Sequence, residues 1–145
     1  MSKFSFSDTK SVLDRLLSEA IVQTDSMMRM MANSCPGGEH GKNPNAYESF
    51  VKQGQNINKQ LGDLRVAVAK GKPADGPKQI DALQRELRAM VETLRENCPG
   101  GKHGQNPVNY GALLMVKENE SGKLDAIKAI LEIGLAAVEA AEAAE

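Results

Sequence analysis

Leu13, Leu16, Leu17, Ala20, Thr24, Met27, Met28 and Met31 recur at steps of three and four residues, with charged and polar side chains between them. That rhythm places them on one face of an α-helix and predicts a buried stripe. The stripe returns at Ile80, Leu83, Leu87, Met90, Val91 and Leu94, which lie 63 residues after Leu17, Ala20, Thr24, Met27, Met28 and Met31. Two further stripes obey the same offset: Tyr47, Phe50, Val51, Leu61, Leu64 and Val68, then Tyr110, Leu113, Leu114, Leu124, Ile127 and Leu131. Because no gap is needed, the pattern reads as an internal duplication of a unit of about sixty residues.

The breaks between stripes carry their own signals. Cys-Pro-Gly-Gly at 35–38 and 98–101 ends a helix, since proline cannot continue one and glycine tolerates the left-handed turn. Asn43-Pro44 and Asn106-Pro107 start the next, with asparagine as cap and proline at the first helical position. Ser7 or Asp8 is the expected cap of the first helix. "KGKPADGP" at 70–77 joins the two halves. "ENESGK" at 118–123 interrupts the fourth stripe and makes that helix the least regular, while the tail "GLAAVEAAEAAE" is expected to project or fray. The expected fold is all-α, an up-down-up-down four-helix bundle of two tandem helical hairpins, 7–70 and 78–142, within a single domain over 1–145. That topology puts the connections 35–43 and 98–106 at one end and 70–77 at the other.

Composition narrows the core and the partners. Aromatic residues are only 3% of the 145, so the core must be aliphatic, and the seven methionines and many alanines favour helix packing. The run "MMRMM" at 27–31 reads as core rather than as a partner surface. With 18 basic against 19 acidic residues, no cationic surplus exists to coat a nucleic acid polymer. No apolar run is long enough to span a membrane and the start lacks a secretory signal, so the expected setting is cytoplasmic.

The chemistry concentrates in the repeated loop. "SCPGGEHGKNPNAYE" and "NCPGGKHGQNPVNYG" share Cys-Pro-Gly-Gly-x-His-Gly-x-Asn-Pro-x-x-Tyr, and hold both cysteines, both histidines and both tyrosines of the chain. Turn formation explains the prolines, glycines and asparagines but asks for neither cysteine nor histidine. One functional reading is an anionic, nucleotide-like small molecule. The backbone of Gly37, Gly38 and Gly41, and of Gly100, Gly101 and Gly104, would approach a phosphate just before helices capped by Asn43 and Asn106. His40, Lys42, Lys102 and His103 would add charge, and Tyr47 and Tyr110 flat faces for stacking. The alternative is a zinc staple held by Cys35, His40, Cys98 and His103, the inventory of a tetrahedral site. Neither needs catalysis: Glu39 is matched by Lys102, so no orienting carboxylate is shared, and the chain does not read as an enzyme.

"ANSCPGGE" at 32–39 and "LRVAVAKG" at 64–71 resemble the helical-hairpin family of phage proteins that sequester cyclic-nucleotide signals. The resemblance implies a small non-enzymatic protein, a homo-oligomer, that binds nucleotides in pockets between helices. It assigns no binding residue here, because the family's arginine after Cys-Pro and its Trp-Ala segment have no counterpart.

Overall fold

The structure, a computed structural model, describes residues 6–34, 44–71, 73, 75–97 and 107–143. Four helices account for nearly all of them: α1 (Phe6–Ser34), α2 (Pro44–Ala69), α3 (Gly76–Asn97) and α4 (Pro107–Ala143). α1 and α3 stop on the residue before each Cys-Pro, and α2 and α4 open on the prolines expected to start them. α1 begins earlier than expected, so Asp8 lies inside its first turn, where a carboxylate favours the positive helix end, rather than at the cap.

Each helix packs against two others: α1 against α2 and α4, and α3 against the same two. The helices therefore occupy the corners of a square, with α1 diagonal to α3 and α2 diagonal to α4. Cross-helix contacts fix the directions. Lys10 Nζ donates to the Ala69 carbonyl at 3.2 Å and Arg65 Nε to Asp14 at 2.9 Å, so α2 runs back along α1. Gln60 Nε2 donates to Glu86 at 3.0 Å, and Gln84 Nε2 to the Ser121 carbonyl at 3.0 Å, which sets α3 against α2 and α4 against α3. This is an up-down-up-down four-helix bundle.

The core is aliphatic, as the composition requires. Leu13, Leu17, Ala20 and Met27 of α1 meet Phe50, Ile57, Leu61, Leu64 and Val68 of α2. Ile80, Leu83, Leu87, Met90 and Val91 of α3 and Leu113, Leu124, Ile127 and Leu131 of α4 complete it. Met27 is fully buried, and Met28 and Met30 pack on the core's edge.

At the end away from the two repeated loops, the reversal between α2 and α3 is locally determined. Gly71 adopts φ 74°, the left-handed conformation that terminates α2. Its N–H reaches the Val68 carbonyl at 2.9 Å. The Gly76 N–H then closes a turn onto Pro73 at 2.9 Å, and the Asp75 carbonyl accepts from Gln79 at 3.0 Å as the first helical bond of α3. Pro77 is tolerated because it stands in the first turn, where no amide partner is lost.

"ENESGK", expected to interrupt the apolar stripe of α4, does not interrupt the helix, which continues through Ser121 and Gly122 to Ala143. Glu120 stays on the stripe and is wholly buried. The physical reason is that a buried partner exists for it on α1.

Candidate functional site

The four helix termini that flank the repeated loops lie at one end of the bundle. On the α1–α4 side, Thr24 stands opposite Glu120. From there α1 rises about 15 Å to Ser34, and α4 runs about 20 Å the other way along its own direction to Pro107, at 1.5 Å per residue. On the α2–α3 side, Gly54 stands against Met90, with the termini Pro44 and Asn97 both farther toward the same end. The termini that each loop joins therefore lie on two opposite edges of one end face: α1 to α2, and α3 to α4. Neighbouring axes in such bundles are about 8–10 Å apart.

This arrangement has an electrostatic consequence that the linear motif did not reveal. The N-termini of α2 and α4, each carrying roughly +0.5 charge, sit at diagonal corners. The C-termini of α1 and α3, each roughly −0.5, occupy the other two. Around the square the signs alternate, so the helix dipoles cancel along the central axis. An anion gains from them only at the α2 or the α4 corner. The positive ends of the helix dipoles are thus confined to two corners of the end face rather than gathered on its axis.

Below the end face lies a closed apolar floor. Phe50, Met27, Met90 and Leu113 are fully buried there. Tyr47 and Tyr110 each take the fourth position of their helix, α2 and α4. The other sequence-predicted residues lie outside the described residues: Cys35, Gly37, Gly38, His40, Lys42 and Asn43 in the first loop, and Cys98, Gly100, Gly101, Lys102, His103 and Asn106 in the second. Among the described residues no group of three His, Cys, Asp or Glu is placed to hold a metal ion. Grooves on the described surface lie elsewhere. One of about 330 Å³, between α1 and α4, is lined by Arg15, Glu19, Val22 and Lys123, and another of about 460 Å³ by Leu114, Met115 and Glu118 on α4.

Thr24, a member of the first stripe, and Glu120, within the segment expected to interrupt the fourth, are both fully buried. Thr24 Oγ1 donates to Glu120 Oε2 at 2.7 Å inside the core. The signal that would have found them is the 63-residue offset, which lays Thr24 on Leu87 and Glu120 on Ile57. The two fully buried polar departures from the repeat fall in one contact. None of the helices among the described residues is long and apolar enough to cross a membrane.

The chain matches no protein-family model, and no curated protein or solved structure is found similar to it.

Proposed function

We propose that the protein is a non-catalytic binding protein for an anionic, nucleotide-like small molecule, held at the loop-bearing end of the bundle. The observation that carries this reading is the juxtaposition of the termini. Two copies of one His- and Gly-containing motif run into helix N-termini that share an end face. Backbone amides at the α2 and α4 corners would take phosphate oxygens, with His40 and Lys42 at one corner and Lys102 and His103 at the other. Tyr47 and Tyr110 would stack a base. Since the corners are diagonal, a ligand with two phosphates or two nucleotide halves fits better than a single small anion. The pairing of buried residues at the 63-residue offset, such as Leu17 with Ile80 and Leu61 with Leu124, supports an origin by tandem duplication. The resemblance to the phage nucleotide-sequestering family agrees with this reading and with a cytoplasmic setting.

A second reading draws on the ligand inventory: the two cysteines and two histidines of the repeated motif suit a zinc staple. One pair of measurements separates the two. Metal-free protein whose melting temperature rises with mono- and dinucleotides supports the ligand site, because a ligand at a hundred times its Kd adds about 2.7 kcal/mol. About one zinc per chain, with melting lowered by a chelator, supports the staple. A His40→Ala, His103→Ala double variant that changes neither response refutes both.

A further inference from the structure

We propose that Thr24 and Glu120 form a proton-operated latch across the α1–α4 seam, closed while the Glu120 carboxyl is neutral and weakened when it ionises.

The topology makes this seam special. α1–α2, α2–α3 and α3–α4 are each tied by a chain connection, whereas the first and last helices are held together only by non-covalent contacts, among them Gln23 Nε2 donating to Asn119 Oδ1 at 2.6 Å. It is also the seam that keeps the end of α1 beside the start of α4. At the corresponding level of the connected α2–α3 seam stand Ile57 and Leu87, both apolar and buried. The loop-free seam carries instead a carboxyl and a hydroxyl, both with 0% exposure.

The hydrogen bonding counts protons. Thr24 Oγ1 lies 2.7 Å from Glu120 Oε2 and 3.2 Å from the Ala20 carbonyl, and a hydroxyl has one proton to give. With Glu120 neutral, its O–H donates to Thr24 Oγ1, and the threonine proton goes to Ala20. With Glu120 ionised, the threonine must turn its proton to the carboxylate. Glu120 Oε1 is buried and accepts no hydrogen bond. An ionised carboxylate with one neutral donor and one bare oxygen in an apolar core is poorly compensated.

Among the described residues no facing element supplies an ion-pair partner. On α1, Glu19 lies over a turn away, 3.9 Å from Lys123, and Asp25 is paired with Arg29. At this level α2 presents Ile57 and α3 presents Leu87, with Arg85 and Arg88 exposed. On α4 itself, Lys117 is paired with Glu118 at 2.9 Å and Lys123 acts only as a nearby charge. Burial dominates: it pushes the Glu120 carboxyl from 4.5 up to about 7, against the smaller opposing pulls of the Thr24 hydrogen bond and Lys123.

The sign follows from proton linkage. Between the unfolded carboxyl's 4.5 and the native 7, the folded state holds the extra proton. Stability from this group is therefore greatest below that interval, falls as pH rises through it, and is flat above. The folded-to-unfolded ratio should drop on the order of a hundredfold between about pH 5 and about pH 8.

The test is chemical denaturation of the full chain across that range, comparing wild type with Glu120→Gln and Glu120→Leu. Other groups of the chain ionise in that range too, so the difference between wild type and variant is the readout. The wild type should lose the expected ratio relative to both variants, and Glu120→Leu should be the more stable protein at the alkaline end. A parallel course for wild type and Glu120→Gln overturns the latch. A direct measurement covers variants that fold badly: the Glu120 carboxyl carbon of folded wild type, followed by NMR, should titrate near neutrality. A midpoint at the ordinary glutamate position overturns the proposal as well.

Discussion

Replacing Gly122 by alanine tests whether α4 is one helix. A side chain added there meets nothing within 4 Å, and its backbone is not in the left-handed region. Alanine should therefore realise the full helix-propensity gain over glycine, about 0.8–1.0 kcal/mol, without a packing cost. Gly62 in α2 is equally open and should behave alike. Because α2 and α4 are diagonal, the two gains should add to about 2 kcal/mol. With an unfolding entropy of about 2.1 cal/mol/K per residue, a chain of this length gains roughly 3 °C per kcal/mol, hence about 6 °C for the double variant. Gly71→Ala is the control of opposite sign: at φ 74° a Cβ is strained, and a loss of about 1–2 kcal/mol is expected. Thermal melting followed by far-ultraviolet circular dichroism measures all three. If Gly122→Ala lowers the melting temperature while Gly62→Ala raises it, α4 is interrupted at "ENESGK" and the continuous helix is wrong.

Phe50→Ala should cost about 3–5 kcal/mol in urea denaturation, since Phe50 is fully buried beneath the loop-bearing end and its removal leaves a cavity; a loss under about 1 kcal/mol would place that ring outside the core. Gly54 is the tight counterpart of Gly122, with an added Cβ 2.8 Å from Met28 Sδ and 2.9 Å from Met90 Cε. Both atoms sit near the ends of flexible side chains, so Gly54→Ala should be close to neutral, whereas Gly54→Leu should destabilise by about 1–3 kcal/mol; equal melting temperatures for the two variants would refute the close approach of α1, α2 and α3 at this level.

The helix ends at Ser34, Pro44, Asn97 and Pro107 were legible in the sequence because their signals are local: a proline or a glycine pair acts within a few residues of where it stands. The helices were legible because a three-four stripe needs no knowledge of its partner. The place of Glu120 on the buried stripe of α4 was not legible, for the converse reason. A glutamate on an apolar stripe looks like an interruption until the partner helix supplies a hydroxyl at 2.7 Å.

By itself, the order of apolar and polar residues determined four helices, their breakpoints and an aliphatic core, since each depends on periodicity and on backbone chemistry within one segment. Only the tertiary structure decided which helices are neighbours and which are diagonal. From that follow the alternating dipoles of the loop-bearing end, the packing of Gly54 against two methionines, and the burial of Glu120. These are through-space properties of residues up to 96 apart in the chain, as Thr24 and Glu120 are, and a linear pattern does not encode the distance between them.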